Sequence, residues 1–374
     1  MNSAFANFAE QRLQTREFVT SYEDDSSQIF HTSLDSSMHL LRWTLNAKNA
    51  GGLPFQFHAG FVDIFSPNAF ADRFEGQYFI GLHSAMFVSI SEFAMFCFAQ
   101  EDFFAEMGHA KSESSPEPWD DRVPGLWLLD YTKKDGHVEN KHSQKLIPKD
   151  TERYHLSTCL SFLMTRFVWL HELSHCFNGH VDLVQERDIA LRLYEVSPLQ
   201  AAVRRRGKKD DTKNLKLLRH LEHDADQSAF WGGVNLQLGG LENIQTIIDM
   251  PEEQRLKMVL FASYAMPWLF EQYQAYLGSG DSQTHPEPID RLEYLFETAK
   301  SRLLSQHPAL AEINATVLNQ FDAVRSKIPS LYKSASLQTL FNEAGMNKRQ
   351  SDFDEYHADL LKRLKVYQFS EKST

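Results

Sequence analysis

Cysteine is scarce in this chain, positive charge is outweighed, and no apolar run is clean enough to suit a bilayer. The three cysteines, Cys97, Cys159 and Cys176, are scattered, odd in number and outside any C-x-x-C spacing. That usage argues against a disulfide framework and fits a reducing compartment. A formal net charge of -12 lacks the positive field that non-specific binding to nucleic acid or anionic lipid requires. The longest apolar stretch, residues 78–99, is interrupted by Gly81, His83, Ser84, Ser89, Ser91 and Glu92. A membrane helix needs about 20 nearly uninterrupted apolar residues, so this stretch reads as a buried strand followed by a helix. The opening Met1-Asn2-Ser3-Ala4-Phe5-Ala6-Asn7 has no basic region leading into an apolar core, the mark of a secretory signal. The expectation is a soluble, cytoplasmic protein with neither a nucleic-acid nor a membrane partner. Oligomeric state has no signature here.

What the chain does have is apolar mass: 374 residues, 42% of them apolar, with 28 phenylalanines. That suffices for one large core or two modest domains. Within it, residues 167–175 read Phe-Val-Trp-Leu-His-Glu-Leu-Ser-His. Leu156, Leu160, Leu163, Phe167 and Leu170 precede the second half of this run at spacings of three and four, the period of a helix with a buried face. On that helix His171 and His175 lie one turn apart and point the same way, as two ligands of one metal must. Glu172 then stands beside the ion, where it can take a proton from a bound water. Gly179 is the expected stop. Taken alone the motif also suits an ordinary core helix whose histidines are satisfied by hydrogen bonds, so a third ligand is needed.

A second helix, expected over 213–231 and closed by Gly232-Gly233, supplies one. Leu215, Leu218, Glu222, Ala225, Asp226 and Ala229 share one face, placing two carboxylates in an apolar stripe. Buried carboxylates need a cationic partner, and a zinc ion held by two histidines is one. Glu222 is therefore assigned as third ligand, and Asp226 as acceptor for the N–H of a ligand histidine. Arginine partners in the core are the plainer alternative. His220, His223 and Asp224 fall on other faces, and His180 and Asp182 follow the second histidine closely; all five remain rival ligands. Further on, Thr284-His285-Pro286-Glu287-Pro288-Ile289-Asp290-Arg291 reads as a helix start, with Arg291 about a turn and a half along. A histidine or arginine from it could steady the oxyanion formed when water attacks a carbonyl. His307-Pro308 has Ile313 where such an arginine would stand.

Elsewhere, residues 1–50 alternate helical pieces with polar patches, and 51–71 carry strand signals ahead of a strand at 78–80. A helix is expected over 84–106 and another over 183–194. Residues 107–152 interrupt with Pro, Ser and charge around Trp119, Trp127 and Tyr131, as either a lid or a surface excursion with packing anchors. The basic run 204–209 suits a solvated loop better than a dock for an acidic partner.

Pro67-Asn68-Ala69-Phe70-Ala71, a strand ending at Gly81-Leu82, His171-Glu172-Leu173-Ser174-His175, Glu222-x-x-Ala225-Asp226 and His285-Pro286-x-x-x-x-Arg291 together resemble one family. It is the gluzincin family of the heat-shock endopeptidase HtpX and the CAAX prenyl endopeptidase. The likeness covers about residues 60–295 discontinuously. It implies zinc on His171, His175 and Glu222, Glu172 as general base and Asp226 orienting a ligand. It further implies His285 and Arg291 near the substrate carbonyl and the site wall, and the strand after Pro67-Asn68-Ala69-Phe70-Ala71 as the cleft edge to which a substrate peptide adds. The insertion at 107–152 departs from the family, as does the lack of membrane spans. In lifestyle there is a looser similarity to the phage-exclusion protease Lit.

The expected fold is α+β, mostly α: a zincin-like metallopeptidase with a small mixed sheet and an H-E-x-x-H active-site helix. Residues 1–50 form a partly flexible helical segment, 51–300 the peptidase domain and 301–374 a C-terminal helical segment. The expected activity is zinc-dependent hydrolysis of a protein or peptide substrate. The rivals are a catalytically silent binding protein on the same fold, a Lit-like host-cleaving defence protease, and a metal-free structural fold.

Overall fold

A computed structural model describes residues 3–24, 27–118, 123–126, 146–186, 193–194, 210–244, 249–276, 288–299, 304–328 and 360–370. Among these the chain is mostly helical around a small mixed sheet.

The sheet is built from strands β1 (Phe57–Val62), β2 (Ala69–Phe74), β3 (Gln77–His83) and the two-residue β4 (Leu193–Tyr194), in the order β1-β3-β2-β4. β1 runs parallel to β3, whereas β2 is antiparallel to both β3 and β4. Glu75 and Gly76, both at positive φ (50° and 82°), form the two-residue turn between β2 and β3, the hairpin geometry that fits strand twist. Side chains alternate as a pleat demands. Ala69, Ala71, Ile80 and Leu82 enter the main core, while Phe70 and Phe79 enter a smaller one on the opposite face.

That opposite face is covered by helix α1 (Ala4–Leu13), whose Phe5, Phe8 and Ala9 recur at helical spacing and are buried. Phe8 stacks on Phe79 at 4.2 Å between centroids, and the Ser3 hydroxyl caps the helix by accepting from the Ala6 N–H. Helix α2 (Gln28–Leu41) brings Phe30 against Phe61 and Phe87 on the main-core side. Helix α1 and Phe30 of α2 thus pack against the sheet. At the far end, Phe369 lies among Phe55, Tyr78 and Phe177, and Ser370 bridges to Lys48.

Helix α3 (Ser84–Phe98) follows β3 directly and packs on α4 (Thr151–Phe177), the central element. α3 stops at Phe98, not near residue 106 as its apolar run suggests. The cause is Arg153, fully buried on α4. Its Nε donates to the Phe98 carbonyl, Nη2 to Gln100 and Phe103, and Nη1 to Phe104 and Met107, at 2.7–3.3 Å. A guanidinium that gathers five carbonyls holds the chain in turns where a helix would otherwise continue.

The described parts of the 107–152 insertion alternate buried anchors with exposed residues. Met107, Ala110, Val123, Leu126 and Leu146 are buried, and the Glu113 carboxylate accepts from the backbone N–H of Lys149 and Asp150 at 2.9 and 3.1 Å. Asp150 in turn caps α4. The insertion is thereby anchored at the start of α4, and at 1.5 Å per residue His171 lies about 30 Å further along. Trp119, Trp127 and Tyr131, the packing anchors of the surface-excursion reading, lie outside the described residues, as do residues 204–209 of the basic run.

α4 is followed by α5 (His180–Glu186), α6 (Asp210–Leu238), α7 (Glu252–Tyr276), α8 (Pro288–Thr298) and α9 (Leu310–Lys327). α6 and α7 both pack on α4, and α8 and α9 pack on α7. Two expectations change here. The helix expected over 183–194 does not extend to its end, because Leu193–Tyr194 pairs with β2. Gly232-Gly233 do not close α6, which continues to Leu238. A Cβ on Gly232 would stand 3.1 Å from the Leu170 side chain, so the small residue lets α6 lie close against α4 instead of ending the helix.

Candidate metal centre

The centre forms where α4 and α6 face each other. α4 is buried along almost all of its inner length, which keeps His171, Glu172 and His175 at 0%, 1% and 1% exposure. From α6 comes Glu222, 2% exposed, on the apolar face shared with Leu218, Ala225, Asp226 and Ala229. His171, His175 and Glu222 make up a buried group that could hold a metal ion. The His171 and His175 Nε2 atoms are 3.0 Å apart, and they lie 3.2 and 3.7 Å from the two Glu222 oxygens. Ligands about 2.0–2.1 Å from a tetrahedral ion stand about 3.3 Å from one another, so these separations bracket the fit.

Hydrogen bonding on the far side of each ring decides what the near side offers. His171 Nδ1 faces Asp226 Oδ1 at 3.0 Å, and a carboxylate can only accept, so Nδ1 carries the hydrogen. In the neutral ring its Nε2 is then a bare lone pair. Burial opposes charge on Asp226, but Arg291 outweighs it and, with the His171 N–H, holds the carboxyl down at about 2. Arg291 donates from Nε and Nη2 to the two Asp226 oxygens, both at 2.6 Å, and its guanidinium lies over the Phe270 ring.

His175 is held differently. Its Nδ1 is 3.0 Å from His180 Nδ1, and His180 Nε2 is 3.0 Å from Asp224 Oδ2. Asn178 Nδ2 donates to that same Asp224 oxygen at 2.7 Å. Gly179, at φ 80°, makes the turn that sends the chain from α4 into α5 and sets His180 beside His175. A Cβ there would stand 2.3 Å from Tyr367 Cβ. With Asp224 accepting, a neutral His180 accepts in turn from His175, and the His175 Nε2 is also left bare. Two lone pairs and a carboxylate therefore converge on one buried spot, which is a donor set for a cation.

Of the residues singled out from sequence, His171, His175, Glu222 and Asp226 come together, and Glu172 is buried on the same helix next to His171. Arg291 sits elsewhere than at the site wall: it is behind Asp226, on the side of the His171 ring away from Nε2. His285 lies outside the described residues. Among the rival ligands, His180 and Asp224 form the chain behind His175. Asp182 binds Arg73 Nη1 and the Tyr78 hydroxyl, both at 2.6 Å, tying α5 to the sheet. His223 packs its ring on Tyr294, and neither it nor His220 belongs to the metal group.

The expected free cleft edge is also different. The strand after Pro67-Asn68-Ala69-Phe70-Ala71 is β3, which lies between β1 and β2 and so is no edge, and β2, which carries the end of that motif, is itself flanked by β3 and by Leu193–Tyr194. Beyond that pairing, the Gln185 amide donates to the Arg73 carbonyl at 2.9 Å, so the outer edge of β2 is largely covered. The sequence reading missed the His180–Asp224 chain as a support for His175. Its available signals were a histidine immediately after the Gly179 stop and the alternation Glu222, Asp224, Asp226.

No protein-family model, no curated protein and no solved structure matches this chain. Among the described residues, no helix is long and apolar enough to cross a membrane.

Proposed function

We propose that this protein is a zinc-dependent endopeptidase of zincin-like fold, with His171, His175 and Glu222 as zinc ligands and Glu172 as general base. The observation that carries the reading is the convergence of two oriented imidazoles and one carboxylate, with Glu172 next to the first ligand in H-E-x-x-H order. A zinc ion held there would polarise a substrate carbonyl and bring the pKa of a bound water to about 7. Glu172 accepts the proton released by that water and later delivers it to the leaving amine. Asp226 keeps the His171 hydrogen on Nδ1, and Arg291 keeps Asp226 ionised and in place. Arg291 is thus a positioning residue, two hydrogen-bonded steps removed from the ion. The substrate class is protein or peptide, and the setting cytoplasmic.

The decisive comparison is proteolysis by wild type against Glu172→Gln, with zinc measured in both. Glu172→Gln retains zinc and loses activity by roughly 10²–10⁴-fold, the usual worth of a general base. Wild-type rates in the mutant would refute the mechanism. A second reading has one observation in its favour: all four residues are at most 2% exposed, as in closed structural metal sites. On that reading Glu172→Gln changes stability, and neither protein cuts a peptide.

A further inference from the structure

The geometry points to His180 and Asp224 as a positioning pair for His175, a proton-holding chain separate from the Asp226–Arg291 chain behind His171. This rests on the metal centre proposed above and adds the residues that set its second imidazole.

A histidine ligand needs its coordinating nitrogen bare and its ring fixed, and both are imposed from the other nitrogen. For His171 a carboxylate does this directly. At His175 it is His180 that faces Nδ1, its own Nδ1 3.0 Å away. Two imidazoles facing through Nδ1 share one hydrogen, so one ring donates and the other accepts. Asp224 breaks the tie. Because its Oδ2 accepts from His180 Nε2, the neutral His180 ring has its hydrogen there and must accept at Nδ1. The His175 hydrogen is therefore pinned on Nδ1, and its Nε2 faces the His171 Nε2 and Glu222.

The pair is built in, not incidental. His180 is fully buried, Asp224 is 7% exposed, and Asn178 braces the Asp224 oxygen while also donating to Ser228 Oγ at 3.1 Å. Glu222, Asp224 and Asp226 come from one stretch of α6. That single helix therefore supplies the third ligand and the terminal acceptor behind each histidine ligand.

The test is zinc affinity of the purified full chain, by competition with a chromophoric chelator, together with the tautomer of His175 by nitrogen-15 NMR of the zinc-loaded protein. His180→Leu removes the acceptor and should weaken zinc binding by roughly 10–100-fold. His180→Gln, whose carbonyl can accept from His175 while its amide donates to Asp224, should recover most of the loss. A purely structural His180 would show no such recovery and no change in the His175 signal. If His180→Leu fails to fold, Asp224→Ala, which frees the His180 ring, should still lower affinity in the same direction. Folded variants that hold zinc as tightly as wild type would overturn the pair and leave the centre standing. A wild type that binds no zinc would overturn both.

Discussion

The two ends of α4 present opposite electrostatic problems. Near its start, Arg153 spends all five N–H groups on five carbonyls, with the Glu113 carboxylate a further 3.8 Å away. Near its end, the groups that converge are acceptors: two imidazole nitrogens and the Glu222 carboxylate. Arg166, between them, is the balanced case, set 2.5 Å from the Glu242 carboxylate. A saturated cation and a charge-balanced pair call for no further ion, and so they hold the fold together. Converging acceptors are a donor set that a cation could occupy, and so they mark a candidate site. Burial does not separate the three, since Arg153, Arg166 and His171 are all 1% exposed or less. The balance of charge and of donors against acceptors does.

The largest effect expected from this contrast is at the balanced pair. Glu242→Gln leaves Arg166 buried without its counter-charge and should destabilise by about 3–5 kcal/mol in urea denaturation. Burial works to raise the Glu242 carboxyl, yet Arg166, helped by the Ile244 N–H and the Gln237 amide, holds it below its ordinary value of 4.5. A depressed folded-state pKa contributes stability above about pH 4.5 and loses it as pH falls further. Wild type should therefore weaken with acid in that window more steeply than Glu242→Gln; parallel profiles would remove Glu242 from the balance.

The acceptor end should respond to metal. Zinc at a thousand times its dissociation constant should stabilise the protein by about 4 kcal/mol, read as a rise in melting temperature. His171→Ala should abolish that rise. At the saturated end, Arg153→Met takes a donor from five carbonyls, of which those of Gln100 and Phe104 keep a backbone N–H, and should cost about 3 kcal/mol, while the folded fraction binds zinc as wild type does. Loss of zinc in that variant would mean that the two ends are not independent. The smallest effect is one step behind the site: Asp226→Ala should weaken zinc binding by roughly 10–100-fold. Unchanged affinity would remove Asp226 from the centre.

Much of this was legible from sequence because helical period is local. Spacings of three and four put His171 with His175 and Glu222 with Asp226, and the folded helices keep those faces. The extent of elements was less legible, for tertiary reasons. Arg153 ends α3 from another helix, and Leu170 makes Gly232 a packing contact inside α6. The direction of Arg291 was hidden because a long side chain can reach either face of His171, and only the position of Asp226 fixes which. The His180–Asp224 chain depends on where the turn at Gly179 sends α5, a direction that no periodicity encodes. The covering of β2 by Leu193–Tyr194 is likewise a pairing between distant segments.

The most direct test of the account is metal stoichiometry after zinc loading and exhaustive dialysis, compared for wild type and Glu222→Ala. One tightly held zinc ion per wild-type chain, and none retained by the variant, is the expected result. A wild type that retains no zinc, or a Glu222→Ala protein that keeps it, would contradict the claim that α4 and α6 together build a metal centre.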